Sequence, residues 1–435
     1  MKIQKFKLVL LSFLQFAVWG AYLTSQGRYL SEIGFGSRIA WFYSIQGIVS
    51  IFMPAIMGVI ADKWVQAQRL LGLCHTVAGV AMVGAGLYGV TAGPDVEFGV
   101  LFGLYTLSIA FFMPTIAISN SVSYAVLEKS GLDPVKDFPP IRVWGTVGFI
   151  CSMWLVDLVK VGGAAMQETS MQYVVSGTFS IILALYTLTL PECPVNRTAQ
   201  KKSLVDAMGL RAFALFKQRK MAVFFIFSML LGVALQITNG FANPFLADFG
   251  NLAEYRGAFG VEHSNMLISL SQISETLCIL LIPFFLRRYG IKIVMLIAML
   301  AWALRFGFFA VGNPGNGIWL FVLSMIIYGV AFDFFNISGS LFVNQTTDKS
   351  IRSSAQGLFM LMTNGIGAAV GTLGAQGLVN MLVNSHKVPG ADGVIDWHAV
   401  MAGWTEAWYV FAAYALLVAI LFALLFRHRH CQSDA

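Results

Sequence analysis

Apolar runs of about twenty residues, the length an α-helix needs to cross a bilayer, recur along the whole chain with short polar breaks between them. They fall at 8–27, 39–61, 69–92, 98–126, 136–161, 172–190, 220–243, 264–286, 291–312, 317–341, 352–383 and 402–426, which predicts twelve transmembrane helices. Backbone polar groups in lipid must be satisfied within the segment, so the runs predict an all-α membrane protein. Composition agrees. Of the 435 residues 57% are hydrophobic and 11% charged, against about 25% charged in a soluble domain. The mean hydropathy is +0.74.

The N-terminal stretch MKIQKFKLVLLSFLQFAVWGAYLTSQG opens like a signal peptide. Its apolar run is long enough to span, and no small-residue cleavage site follows clearly, so it is expected to be retained as the first helix. The formal net charge of +7 could suggest nucleic acid, but no soluble domain is large enough to carry such a surface. Lysines and arginines instead mark cytoplasmic loops. With Lys2, Lys5 and Lys7 inside, the inner loops hold a roughly fourfold excess of cations over the outer ones. This predicts an even number of helices with both termini in the cytoplasm. The five cysteines are scattered without CxxC or Cys/His spacing, and no disulfide or metal site is expected.

The longest inner stretch, PECPVNRTAQKKSLVDAMGLRAFALFKQRK, divides the chain near its middle. The expected organisation is an N-terminal six-helix bundle at 1–190, a cytoplasmic linker at 191–219 and a C-terminal six-helix bundle at 220–435. GVIADKWVQAQRLL and FFLRRYGIKIVMLI are short basic turns at equivalent places in the two halves. Parallel six-helix repeats are the major facilitator arrangement, although any short inner loop would be basic.

Ionisable groups at bilayer depth are costly and mark pathways or proton relays. Four stand out: Arg142, Glu275, Arg305 and Asp333. Each of several helices also carries polar and aromatic groups at helical spacing. Gln272 and Glu275 are i, i+3, as are Gln236 and Asn239; Tyr328 and Phe332 are i, i+4, with Asp333 adjacent; Arg142, Thr146 and Phe149 follow i, i+4, i+7. Amides and hydroxyls at such positions either hydrogen-bond across helices as packing glue or line a site. Glu275 is the strongest proton-coupling candidate and Asp333 the second, with pairing to Arg305 or Arg142 as the alternative for Asp333. Arg305 reads as structural, and His75 as an interfacial residue beside a basic loop. Arg142 has two readings. If Pro139-Pro140 opens its helix, Arg142 is a cytoplasmic anchor; if the helix begins near Pro134, the prolines sit inside it and Arg142 rises toward the cavity. Aromatic planes with amides suit a neutral, flat, hydrogen-bonding solute, such as a base attached to a sugar, or a sugar alone.

The strings SFLQFAVWGAYLT, FMPAIMGVIADKW, DFPPIRVWGTVGFI, KMAVFFIFSMLLG, LQITN, SQISET, IPFFLRRYGIK and YGVAFDFFNISGS carry a resemblance over about residues 8–426. The chain resembles the bacterial nucleoside:proton symporters. The resemblance implies the major facilitator fold, with 12 transmembrane helices in two six-helix bundles around a central cavity. It assigns substrate binding to Arg142, Thr146 and Phe149 in the first half, and to Gln236, Asn239, Gln272, Glu275, Tyr328, Phe332 and Asp333 in the second. It also favours the cavity reading of Arg142. Asp62, in ADKW, resembles the acidic position of the major facilitator gate motif, or is a plain turn residue.

The expected function is proton-coupled nucleoside import across a bacterial inner membrane by alternating access, and not an enzymatic activity; no HExxH or GxSxG motif lies in a helix. The expected partners are purine and pyrimidine nucleosides, protons and the bilayer, with no nucleic acid. No cofactor beyond the proton gradient is expected, and the chain is expected to act as a monomer. A xanthosine-preferring or sugar:proton symporter of the same fold is the alternative; SQISET looks more like the broad nucleoside permeases.

Overall fold

The computed structural model describes residues 2–193, 210–348, 351–391 and 393–428. Most of the expected linker, 194–209, lies outside them; 210–217 forms a 3-10 helix, Leu210–Lys217. Among the described residues nine segments are apolar and long enough to cross a membrane, and one of them, Ser264–Val311, contains two helices. With Lys2–Gly20 and the shorter apolar helix Met171–Thr187, the described residues form twelve helical passes.

The first six are α1 (Lys2–Gly20), α2 (Ile39–Lys63), α3 (Ala67–Ala92), α4 (Phe98–Lys129), α5 (Pro134–Leu158) and α6 (Met171–Thr187). α7 is Arg219–Leu235 followed by Ile237–Asp248, with a local turn at Gln236. α8 starts as Ser264–Cys278 and runs on through a 3-10 turn to Gly290, and α9 follows it directly to Val311. The junction is the single residue Gly290 (φ 74°, ψ 169°), a conformation that a side chain would oppose. α10 is Ile318–Thr346. α11 is Arg352–Met360 and Ala368–Leu382, joined by a π-helical turn at Leu361–Gly367. α12 is Trp397–Leu425, its N-terminus capped by Asp396, which accepts from the backbone N–H of His398 (3.0 Å) and Ala399 (3.1 Å).

The α1 boundary differs from expectation. The helix begins at Lys2, ahead of the apolar run, because lysines can extend their charged ends to water from a helix terminus. Lys5 and Lys7 are tied down there: Lys5 Nζ meets Asp137 Oδ1 at 2.6 Å, and Lys7 Nζ donates to the Thr189 carbonyl at 2.5 Å.

Contacts divide the chain into two compact units, Met1–Phe35 with Ile45–Met208, and Gly36–Ser44 with Gly209–Ala435. The assignment of 36–44 to the second unit has a local cause. The Ala40 N–H donates to Gln376 Oε1 (2.9 Å), Gln376 Nε2 donates to the Gly36 carbonyl (2.9 Å), and Tyr43 Oη donates to the Asn239 carbonyl (2.8 Å).

Within the first unit α1 packs on α5, and α3 packs on α4 and α6. Within the second unit α7 packs on α11, and the segment Ile282–Val311 packs on α10 and α12. Three pairings thus recur six helices apart, which gives the faint sequence echo of the two basic turns a structural basis. Small residues make the close approaches, as expected where lipid supplies no hydrophobic drive between helices. A methyl added at Gly148 would overlap the Phe13 carbonyl, and one at Gly232 would overlap the Thr363 carbonyl. These glycines set the α1–α5 and α7–α11 seams.

Candidate functional site

In the first unit the site residues lie on α5. The helix begins at Pro134, so Pro139 and Pro140 fall inside it and Arg142 sits about two turns in. The helix thus starts where the second reading of Arg142 requires, ahead of the two prolines. Pro134 suits a first helical position, where its missing N–H would be unpaired anyway. The two internal prolines remove backbone donors that a regular helix would use. The Arg142 guanidinium lies over Phe16 of α1, its Cζ 3.7 Å from the ring centroid. Thr146 is half-buried one turn further on, and Phe149 is buried. The Phe149 ring meets Trp19 edge-on, with centroids 6.4 Å apart at 78°.

In the second unit the remaining seven residues come from α7, α8 and α10. α7 has its local turn at Gln236, a residue the sequence had singled out without signalling a turn. Gln236 itself keeps right-handed helical dihedrals (φ −94°, ψ −6°) and its carbonyl accepts from the Gly240 N–H at 3.1 Å, so the two segments run on as one span with a local turn. Asn239 Nδ2 donates to Gln236 Oε1 at 2.7 Å, so the two amides form one polar unit.

α8 docks on α10 through small polar side chains. Ser274 Oγ donates to the Ile326 carbonyl, and Ser271 Oγ lies 3.1 Å from Met325 Sδ. A Cβ at Gly329 would come within 2.6 Å of the Ser274 carbonyl, so glycine permits the close crossing. Gln272 and Glu275 each lie one residue further round α8 from this seam and are half-buried.

On α10 the Tyr328 and Phe332 rings are stacked, with centroids 5.6 Å apart and 14° between planes. Trp302 of α9 closes one side of Tyr328 edge-on at 5.9 Å and 89°. Asp333 is 5% exposed, and its Oδ2 has no hydrogen-bond partner among the described residues. Glu275 is near enough to act electrostatically on both Asp333 and Tyr328. The second unit therefore gathers two carboxylates and a stacked aromatic pair around one place, and adds an amide pair at the α7 turn.

Two expectations need correction. Among the described residues Arg305 does not pair with an acid, contrary to the alternative reading of Asp333. Its Nη1 donates to the Ser324 carbonyl (2.7 Å) and approaches Ser271 Oγ (3.4 Å), and its guanidinium lies 4.6 Å from the Tyr328 ring centroid. The reason is register: Asp333 is nine residues beyond Ser324 on α10, roughly 13 Å of helical rise. His75 is not interfacial but fully buried. Its Nδ1 is 2.8 Å from Ser180 Oγ and its Nε2 is 2.9 Å from Gln15 Oε1, while Gln15 Nε2 donates to Thr115 Oγ1 at 2.8 Å. Asp62 belongs to the last turn of α2, and its side chain lies outside the described residues.

Phe16, Trp19 and Trp302 contact candidate residues and were not singled out from the sequence. Phe16 and Trp19 are i, i+3 in SFLQFAVWG, the same spacing used to select the other faces, and Gln15 beside Phe16 is the polar signal that could have drawn attention to them.

The profile of the nucleoside H+ symporter family matches residues 1–431. The xanthosine permease of Escherichia coli (strain K12) is 49% identical over 428 residues, covering 98% of this chain and 96% of the permease. The nucleoside permease NupG of the same organism is 45% identical over 431 residues, covering 98% and 97%. The crystal structure of the nucleoside transporter NupG superposes with a TM-score of 0.85 at 44% identity, covering 98% of this chain and all (100%) of that one. The xylose transporter XylE from E. coli shares the fold alone, with a TM-score of 0.60 at 11% identity, covering 98% and 100%. This chain is a multi-pass membrane protein of the major facilitator fold and belongs to the nucleoside:proton symporter family, as a transporter rather than an enzyme.

Proposed function

We propose that the protein imports both purine and pyrimidine nucleosides together with protons across the bacterial inner membrane, as a monomer with both termini in the cytoplasm. No cofactor takes part beyond the proton gradient. The observation that carries this reading is the buried Asp333, whose Oδ2 has no hydrogen-bond partner among the described residues, beside the stacked Tyr328 and Phe332 rings and with Glu275 on helix α8, which packs against α10. Two acids in a common field make it costly for both to be ionised at once. Such a pair holds a proton where a neutral, flat solute can stack.

In the state open to the periplasm, Glu275 or Asp333 takes up a proton. The neutral acid then hydrogen-bonds a ribose hydroxyl or a base edge. Gln236, Asn239 and Gln272 supply paired donors and acceptors, which suit the base. Tyr328, Phe332 and Phe149 pack on its faces, and Arg142 and Thr146 add contacts from the first bundle. Residues 1–190 and 220–435 move as two bundles joined by 191–219, and Asp62 stabilises one closed state at its gate. Release inside accompanies loss of the proton. Coupling requires that the two protonation states differ in substrate affinity.

A second reading, preference for xanthosine, is favoured by the 49% identity to a xanthosine permease. Equilibrium binding of uridine, adenosine and xanthosine to purified protein separates the two. Comparable affinities for uridine and adenosine support the broad reading. Tight xanthosine binding with neither of the others overturns it.

A further inference from the structure

We infer that Asn336 is a further specificity-determining residue, whose amide meets the exocyclic oxo or amino group of a nucleoside base. The inference deepens the reading of this site as nucleoside-binding and rests on it. Asn336 follows Phe332 at i+4 and Tyr328 at i+8 on α10, so it continues their stripe by one turn. Asp333 lies three residues before it on the same side of the helix.

Asn336 is half-buried within an apolar span, and among the described residues its side chain has no hydrogen-bond partner. A polar group left unpaired at this depth is costly, and amides in membrane helices usually bond a neighbouring helix. Other amides of the second unit do find partners within the protein. Asn239 donates to Gln236 Oε1 at 2.7 Å, and Gln356 Nε2 donates to the Ser340 carbonyl at 2.7 Å. Gln272, a substrate candidate, shares with Asn336 the lack of a side-chain partner among the described residues. Such an amide is completed from the solute side.

The surroundings of Asn336 say which part of the solute reaches it. Asn336 and Phe332 line one recess with Trp302 of α9, Leu235 just before the α7 turn, and Thr363 in the π-helical turn of α11. Its volume is about 10 Å³, room for one water-sized group. An exocyclic oxygen or amino nitrogen is that size, and a ribose or a whole base is not. Phe332 belongs both to the stacked pair and to the recess, so a base packed on that ring brings its exocyclic group to the recess. The Thr363 hydroxyl is already committed, donating to the Phe359 carbonyl at 2.9 Å. A primary amide carries both donor and acceptor, and turning about its last side-chain bond exchanges them. One asparagine therefore serves an oxo base or an amino base, which fits a carrier of both kinds of nucleoside.

The test is equilibrium binding of cytidine and of pyrimidin-2-one riboside, which is cytidine without its 4-amino group. Both are measured on the purified full-length protein and on Asn336→Leu and Asn336→Ala, with thermal unfolding of each. The wild type is expected to bind cytidine about tenfold more tightly than the riboside, the size of one hydrogen bond. In both variants the preference is expected to vanish, with cytidine falling to the affinity of the riboside and the riboside unchanged. A cytidine preference that persists in the variants, or is missing from the wild type, overturns the inference while the nucleoside reading stands. So does an equal loss of both ligands, which a merely structural role would give. If the wild type binds neither of these ligands nor uridine, adenosine or xanthosine, the nucleoside reading itself fails, and the inference with it. Asn336→Ala adds no bulk to the recess, so it reads out the role even where Asn336→Leu fails to fold.

Discussion

Arg305 Nη1 donates to the Ser324 carbonyl at 2.7 Å, and the same guanidinium lies 4.6 Å from the Tyr328 ring centroid. A buried arginine with a carbonyl and a ring for partners is expensive to bury, and replacing such a charge by an apolar side chain of similar length is often neutral or stabilising. Arg305→Met is therefore expected to leave the unfolding temperature unchanged or higher. Tyr328 loses its support in the same variant, and KM for nucleoside is expected to rise by about three- to tenfold. A large fall in unfolding temperature with unchanged KM would show that Arg305 serves the fold and not the site.

Glu275 and Asp333 act on each other electrostatically at the end of the stacked Tyr328–Phe332 pair. Glu275→Gln and Asp333→Asn keep the size and remove the titration. At least one of them is expected to lose gradient-driven accumulation by tenfold or more (about 1.4 kcal/mol of lost coupling) while retaining substrate exchange across the membrane. Comparing accumulation with exchange in the two variants identifies the proton carrier. Wild-type accumulation in both would remove the pair from the coupling mechanism.

Asp248, at the end of α7, accepts from Trp404 Nε1 at 2.7 Å and pairs with Lys387 Nζ at 2.6 Å, with the two charged side chains 9% and 19% exposed. Removing one partner of a mostly buried pair leaves the other charge stranded. Asp248→Ala is expected to destabilise the second unit by about 2–4 kcal/mol, which thermal or denaturant unfolding in detergent reports. Lys387→Met should cost less, because Asp248 keeps its bond from Trp404 and the lysine end is the more exposed.

Gly148 and Gly232 hold the α1–α5 and α7–α11 seams, where an added methyl would overlap a carbonyl of the facing helix. Gly148→Ala and Gly232→Ala are each expected to cost about 1–3 kcal/mol by overpacking. Gly103, with nothing within 4 Å of a Cβ, should accept alanine without loss. Parallel unfolding curves for the three variants check the contrast.

The passes were legible in the sequence because length and hydropathy define a spanning helix, and eleven of their starts lie within a few residues of the apolar runs. The start of α1 was not, since an apolar-run criterion discards Lys2, Lys5 and Lys7, whose charged ends reach out from a continuing helix. Spacing selected faces such as Gln272 with Glu275, and family resemblance made them a site. Neither revealed the local turn of α7 at Gln236, because it carries no proline or glycine signal at the residue itself. His75 was misread for a related reason: its proximity in sequence to a basic loop says nothing of Gln15 and Ser180, which reach it from α1 and α6. Residues 36–44 group with the second unit through Gln376 and Asn239, partners more than 190 positions away that no local pattern announces.

The central claim is coupling of nucleoside to proton movement. The most direct measurement is accumulation of labelled uridine and adenosine in proteoliposomes of the purified protein, with and without an inward proton gradient. Accumulation of both above the external concentration, abolished when the gradient is collapsed, is the expected result. Equal uptake with and without the gradient, or no uptake of either nucleoside by protein that still exchanges another solute, would contradict it.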